Sequence, residues 1–417
     1  MKVCVIGLGY IGFPTACLMA RAGHNVVGVD ISEERVNNIN NGSFLLNEPG
    51  FKELFDSAKK NIVAKMNPEK ADVFVICVPT PLKNKTPDNS YVESAANAIA
   101  PLVEKENLVI LESTVMPKAT HESIGKIIEN KTSLKADTDF YLAHCPERAF
   151  PGNLIFELVN NDRIIGSDTE KGKEITKELY SSFCKGNLLL TGTVTAEVAK
   201  LSENTFRSVN IAFANELALL SEKLGINVEE VISLANKHPR VNIHTPGAGV
   251  GGHCIPVDPY FLVHGQNAPL VKTALEINES MPKHTIALLK NALHSAGKNI
   301  EGAKVVLLGA AYKPDVDDAR ESPTEKLVEI LVSYKSNVVV HDPLVKRFAY
   351  PVVSDIGSAV DGADAIIIST AHSEYKKIDW NRISKKMNVK PVIVDGRNLL
   401  SSAPPEFIYK SIGNPVQ

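Results

Sequence analysis

A cysteine stands in the stretch GAGVGGHCIPVDP (247–259), with four glycines ahead of it and two prolines behind. Three chemistries are open to Cys254. A structural thiol packs in a core, as a small hydrophobe does, but glycines lacking a Cβ mark a place where backbone approaches a ligand closely. A zinc ion would find His253 and His244 nearby, without a second cysteine cluster, and adjacent His-Cys is poor ligand geometry. As a nucleophile, a thiolate adds to an aldehyde to give a thiohemiacetal. Loss of hydride to a bound oxidant then leaves a thioester that water cleaves, which carries an aldehyde to an acid. Asp258, four residues on, is expected in the same loop. There it would orient that water, pair with Lys200, or serve as a turn residue between prolines.

A second group lies in TAEVAKLSENTFRSVNIAFANELALL. Lys200, Asn204 and Arg207 are spaced four and three apart, so they share one helix face. A cation, an amide and a second cation in line suit a phosphorylated or hydroxyl-rich ligand. The alternative is a solvated stripe braced by Glu197 and Glu203, on a helix whose Val198, Leu201, Val209, Ala212, Phe213, Leu217 and Leu220 are buried.

A third group supplies the oxidant's site. GLGYIG (Gly7, Gly9, Gly12) follows the β-branched run KVCVIG, opens a helical pattern, and is followed 18 positions later by Asp30 at the end of NVVGVD. That context is the dinucleotide fingerprint: glycines for the turn, the pyrophosphate and helix packing, and an acid for the ribose hydroxyls. A carboxylate there repels a 2′-phosphate, which favours NAD. Thr80 and Thr114 follow later strands and are either ligand contacts or strand caps.

These residues need a scaffold that presents strand ends. Buried-type strands at ADVFVICVPTP (71–81) and NLVILESTV (107–115) alternate with helical patterns such as SAANAIAPLVEK, which predicts a parallel, doubly wound α/β sheet. The pattern recurs after residue 300: AKVVLLGAAYKP matches the opening strand and turn, NVVVHDP matches NVVGVD, GADAIIIST matches ADVFVIC, and PVIVDGRN is a last strand. A helical stretch from about 193 to 297 joins the two, and its run without Gly or Pro (195–224) spans about 45 Å at the helical rise.

A chain of 417 residues with 44% apolar content and net charge −3 accommodates two or three domains. The charge argues against a nucleic-acid partner, and no apolar run reaches the length of a membrane span. The six cysteines are scattered without metal-ligand spacing, so no metal is expected, and free thiols suit a reducing cytoplasm.

GLGYIG, CVPTP, ESTV, CPERAFPGN, AEVAKLSENTFRSVNIAFANEL, GGHCIPVDPYFL, YKPDVDDARESP and DGRN together resemble the UDP-glucose/GDP-mannose dehydrogenase family over nearly the whole chain. The resemblance implies an N-terminal NAD-binding Rossmann domain (1–192), a central helical dimerisation domain (193–298) and a C-terminal Rossmann-like domain holding a UDP-sugar (299–417), in a homodimer or dimer of dimers. It implies a four-electron oxidation of a sugar C6 alcohol with two NAD, with Cys254 as nucleophile and Lys200, Asn204, Asp258 and Glu147 around it. Either Glu147 or Asp258 is the base for hydrolysis. Tyr10, Ile11, Arg35, Thr80, Thr114 and Arg320 would join the glycines and Asp30 at NAD. Arg148, Ala149, Arg207, His238, Arg240, Gly251, Tyr312, Lys313 and Arg397 would join Lys200 and Asn204 at the substrate. PERAFPGN is closer to the pattern of the UDP-N-acetylmannosamine dehydrogenases than to the P-E-F-L of the UDP-glucose and GDP-mannose enzymes. UDP-N-acetylglucosamine and UDP-glucose remain alternatives, as do a single-step hydroxyacid dehydrogenase and a non-catalytic sensor.

Overall fold

The computed structural model describes residues 1–43, 46–149 and 152–414. The chain divides into two compact units, residues 1–203 with 260–266, and residues 204–259 with 267–417.

In the first unit β1 (Lys2–Ile6) is followed by α1 (Gly12–Arg21), β2 (Asn25–Val29), β3 (Ile62–Lys65) and β4 (Val73–Ile76). A small hairpin of β5 (Leu82–Lys83) and β6 (Thr86–Pro87) precedes β7 (Leu108–Leu111), β8 (Tyr141–His144), β9 (Arg163–Gly166) and β10 (Leu188–Thr191). The sheet order is β10-β9-β8-β7-β4-β1-β2-β3. Six strands run parallel, and β9 joins β8 antiparallel at His144 and Gly166. Both faces are covered, so β1, β4 and β7 read as continuous apolar runs. Alternate residues feed opposite cores: Val3, Val5, Val75 and Ile110 pack on one side, and Cys4, Ile6, Phe74 and Leu111 on the other. The direction of winding reverses between β1 and β4, where open α/β sheets bind ligands beyond the strands' carboxyl ends.

The second unit repeats this plan with β11 (Lys304–Leu308), β12 (Asn337–His341), β13 (Val352–Val353), β14 (Ala365–Ile368), β15 (Val392–Asp395) and β16 (Ile408–Ser411), in the order β13-β12-β11-β14-β15-β16. PVIVDGRN is therefore not the last strand; β16 pairs with it in parallel. The helical stretch expected over 193–297 is interrupted. After α2 (Thr193–Leu224) and a helix at Val228–Ala235, residues 236–257 are irregular until α3 (Pro269–Ser295) is approached through a short helix at Asp258–Val263. Asp258 is thus the first residue of a helix, not a loop residue. Among the described residues no helix is long and apolar enough to cross a membrane, and all six cysteines are free thiols.

The N-terminal end of α2 is fastened within the first unit. Asp168 accepts from the Thr193 N–H (3.0 Å) and hydroxyl (2.6 Å). Glu197 accepts from the Thr120 N–H and hydroxyl and from the Lys118 N–H. His121 lies 2.7 Å from Asp137, 3.3 Å from the Thr193 hydroxyl and 3.7 Å from Asp168. The hydrogen bond to Asp137 raises the His121 pKa above its ordinary value of 6.5, against the lowering effect of burial. A folded-state pKa above the unfolded one means stability fully present below the unfolded value and lost as pH rises through the folded one. Thermal denaturation should therefore show wild-type stability falling above pH 6.5, with His121→Gln costing roughly 1–2 kcal/mol at pH 6 and flattening that slope. Parallel stability curves for the two proteins would remove His121 from the clasp.

Candidate active site

The turn after β1 is built for close approach. Gly7 sits at φ +95°, donates to the Val29 carbonyl (2.7 Å), and a Cβ there would fall 2.6 Å from the Cys77 carbonyl oxygen. A Cβ at Gly12 would meet the Gly7 carbonyl and the Cys77 side chain. At Gly9 a Cβ would meet nothing within 4 Å, so the loop is open on the side where a pyrophosphate approaches. Asp30, 7% exposed at the end of β2, accepts from the Leu8 N–H (3.0 Å) and the Ser32 N–H (2.9 Å) and pairs with Arg35 at 2.8 Å. A carboxylate has about four acceptor sites, so a ribose hydroxyl still finds one. An open, N–H-bearing turn at a helix start beside this acid fits a dinucleotide. Ile11 precedes α1, and the Tyr10 hydroxyl donates to Glu48, which also accepts from the Gly152 and Leu154 N–H groups. Thr80 and Thr114, both half-buried, follow β4 and β7 at their carboxyl ends.

The stripe on α2 is buried, which overturns the solvated alternative. Lys200 is 6% exposed and Asn204 3%, with Arg207 half-buried. Glu197 spends its carboxylate on the 118–120 turn, and Glu203 pairs with Arg148 at 3.0 Å. The apolar residues expected inside include Phe213 and Leu220, which are 49% and 45% exposed. Polar chemistry faces inward here and part of the apolar surface faces out. His144, 1% exposed at the end of β8, is held neutral: burial, then the charge of Lys200, pull its pKa down to about 3.

In the second unit the Asn204 side chain donates to Asp258, and Arg207 donates to the Asn204 carbonyl. Asp258 is 3% exposed, and its N–H donates to the Cys254 carbonyl at 2.8 Å. This joins three of the sequence-predicted residues to the thiol's own backbone. Cys254 is exposed. The space a Cβ would need at three of the glycines ahead of it is filled by protein. A Cβ on Gly251 would lie 2.6 Å from the Glu321 carbonyl oxygen, one on Gly252 (φ +92°) 2.8 Å from the Tyr312 ring, and one on Gly247 2.5 Å from Arg397. Arg397 donates to the Ser369 carbonyl (2.7 Å), and burial pulls its pKa down to about 10. Lys313 is half-buried beside Tyr312, whereas His238 and Arg240 are exposed in a segment (237–242) with no buried residue.

Glu147 is held by a neighbour that the sequence reading missed. Arg163, 5% exposed, pairs with Glu147 at 2.8 Å and Glu112 at 3.3 Å, and stacks 4.7 Å over Tyr180. The other Glu147 oxygen accepts from the Arg148 and Ala149 N–H groups. Arg148 also donates to the Asp162 carbonyl. Also missed were Asp318, which pairs with both His253 and Arg320, and the set of His121, Asp137 and Asp168, whose nearest donor atoms lie within 4.8 Å of one another. Arg163 and the His121 set carry no local sequence signal, because their partners are distant in the chain; Asp318 is local to Arg320 but meets His253 across 65 residues.

Three family models match: the NAD binding domain of the UDP-glucose/GDP-mannose dehydrogenase family over residues 1–184, its central domain over 194–280, and its UDP binding domain over 306–402. The chain is 45% identical over 420 residues to a UDP-N-acetyl-D-mannosamine dehydrogenase of Pyrococcus horikoshii, covering 99% of each. It is 39% identical to an NDP-N-acetyl-D-galactosaminuronic acid dehydrogenase of Ralstonia nicotianae, covering 96% of each. A solved UDP-D-ManNAc dehydrogenase from Pyrococcus horikoshii superposes with a TM-score of 0.93 at 44% identity, over 100% of both chains.

Replacing Arg163 by Met should strand two carboxylates, one of them buried, and cost roughly 3–5 kcal/mol. Urea denaturation measures it, and a loss below about 1 kcal/mol would make the triad dispensable.

Proposed function

The chain belongs to the UDP-glucose/GDP-mannose dehydrogenase family and is an NAD-dependent nucleotide-sugar dehydrogenase, an oxidoreductase; from that premise we propose that it oxidises the C6 alcohol of UDP-N-acetyl-D-mannosamine to the carboxylate. The observation that carries the substrate is the chain-long identity to a relative named for that sugar. Arg148, in PERAFPGN, supports it. An N-acetyl carbonyl needs a donor once buried, and His238 and Arg240 are offered as further contacts. A second reading, another N-acetylated nucleotide sugar, is favoured by the Ralstonia relative.

When bound, NAD would supply the hydride acceptor for each of the two proposed oxidations at C6, two molecules being used in turn. Gly7, Gly9, Tyr10, Ile11, Gly12, Asp30, Arg35, Thr80, Thr114 and Arg320 are proposed to hold it. The chain's residues then divide the remaining work. As hydride leaves C6, the hydroxyl proton would pass through the water held by Asn204 to the Asp258 carboxylate, while the Lys200 ammonium stabilises the developing C6 oxyanion. The Cys254 thiolate adds to the C6 aldehyde, forming a C–S bond and a thiohemiacetal hydroxyl. After the second oxidation the product on the chain is a thioester. Water, ordered by Asn204 and Asp258, attacks it, the C–S bond breaks, and the thiolate is restored. Asp258 is favoured as the base, since Glu147 is committed to Arg163 and two backbone donors. Arg207, Ala149, Gly251, Tyr312, Lys313 and Arg397 complete the proposed substrate site.

The proposed domain roles are 1–192 for NAD, 193–298 for dimerisation and 299–417 for the UDP-sugar; the family models that match lie within these bounds. Phe206, Phe213 and Leu220, 63%, 49% and 45% exposed and seven residues apart on α2, offer a stripe for a second copy. The enzyme is proposed to work as a homodimer or dimer of dimers in the cytoplasm, in polysaccharide biosynthesis.

NADH release measured with UDP-N-acetylmannosamine, UDP-N-acetylglucosamine, UDP-glucose and GDP-mannose tests the reading. The expected result is two NADH per sugar with preference for the first. Cys254→Ser should cut acid formation by about 100-fold or more. One NADH per sugar, with Cys254→Ala fully active, would instead indicate a single-step dehydrogenase.

A further inference from the structure

Asp318 sits between two segments whose side chains the proposed chemistry uses. Its carboxylate grips Arg320 as a fork, with Nε at 2.9 Å from Oδ1 and Nη2 at 2.7 Å from Oδ2, and it also accepts from the Arg320 N–H at 3.1 Å. The same Oδ2 lies 3.4 Å from Nε2 of His253, the residue before Cys254. Its own carbonyl accepts from the Tyr312 N–H at 3.0 Å. The Tyr312 ring in turn fills the space beside Gly252 and meets the His253 ring edge-on, with centroids 6.4 Å apart. Burial raises the Asp318 pKa, but hydrogen bonds from His253 and Arg320 outweigh it and hold the carboxyl well below its ordinary range. Tyr312 is pushed up by burial and then by the charges of Asp318 and Cys254, which places it near both.

We propose that Asp318 is a positioning residue for Cys254: through His253 it fixes the thiol loop, and through Arg320 it ties that loop to a cation that serves an anionic ligand. The inference rests on the reading of Cys254 as nucleophile. The physical reason is the sharing of one charge. A carboxylate held by a bidentate guanidinium is geometrically fixed, so an imidazole paired to it is fixed as well. The next residue along then inherits that position, because glycine at 251 and 252 lets the loop backbone close directly onto Glu321 and Tyr312. Asp318 is 22% exposed and Arg320 66%, so the fork stands at an edge that a ligand phosphate can reach. Withdrawing the guanidinium toward a phosphate leaves more of the carboxylate to His253, which makes the loop's position responsive to that ligand.

The test is a double-mutant cycle on the full-length enzyme with Asp318→Asn, His253→Asn and the pair, read in two ways. The first is the rate of Cys254 alkylation by iodoacetamide, which the native protein isolates because Cys254 is its exposed thiol and the other five are buried or half-buried; Cys254→Ser is the blank. The second is the split between kcat and KM for the sugar. Each single variant is expected to change the alkylation rate about 3- to 10-fold and to lower kcat by a similar factor, with KM and melting temperature nearly unchanged, and the pair to be no worse than one. Such coupling, of 0.5–3 kcal/mol, is the range for residues in contact. Asp318→Glu, which keeps the charge, should recover part of the rate. Additive effects, a change in KM alone, or an unaltered alkylation rate would overturn the proposal. Alkylation needs no turnover, so a wild-type enzyme that fails to make acid would sink the nucleophile reading while leaving this coupling measurable.

Discussion

Asp258 is a buried carboxylate whose partner amide comes from a different helix. Removing a charge from water costs several kcal/mol unless donors replace the lost hydration. Asn204 supplies one, and Arg207 in turn orders the Asn204 amide. The Asp258 N–H reaches back four residues to the Cys254 carbonyl. One buried polar contact is thereby linked to the backbone of the residue that carries the thiol. On α2 it is Asn204, one residue of the stripe spaced for a single helix face, that meets this carboxylate.

The two Rossmann-like units solve the same turn differently. Gly309 (φ +102°) donates to the His341 carbonyl just as Gly7 donates to Val29. Yet Ala311 stands where Gly9 stands in the first unit, so a methyl group occupies the place of close approach. Asp342, the counterpart of Asp30, accepts from the Ala310, Ala311, Leu344 and Val345 N–H groups and pairs with the buried His372. Five donors saturate it, so no acceptor site remains for a ribose. His372 also accepts from the Asp315 N–H at 3.0 Å. The acid of a dinucleotide fold has become an anchor for the loop that carries Tyr312, Lys313 and Arg320.

That contrast marks what could be read from the sequence. The strands β1, β2, β4, β7, β11, β12 and β14 were legible because both their faces are covered, which leaves unbroken apolar runs. The glycine turn and Asp30 were legible because their spacing is fixed by local geometry. Strands β9 and β16 were not: the apolar run of β9 is cut short by the buried Arg163 and by Gly166, and β16 is an edge strand carrying Lys410. The glycines before Cys254 were seen as special, but their reason was not. A missing Cβ looks the same in sequence whether the neighbour is a ligand or the Tyr312 ring, and Tyr312 is some 60 residues away. Arg163, and the meeting of Asp318 with His253, were invisible for the same cause: a charge in a sequence does not say which distant charge it meets.

Helix α2 shows the limit most clearly, because its amphipathic pattern was identified and its orientation was not fully anticipated. Periodicity fixes which residues share a face, not which face is inside. Here Asn204 and Lys200 are buried, while Phe206, Phe213 and Leu220 are exposed. A soluble monomer gains nothing from aromatic side chains left in water, and exposed apolar stripes of this kind mark surfaces for association. Burying the polar face costs free energy that the helix must recover elsewhere. The second copy proposed above would recover it by covering the apolar face, which would make the position of the chemistry on α2 and that proposed assembly two consequences of one helix.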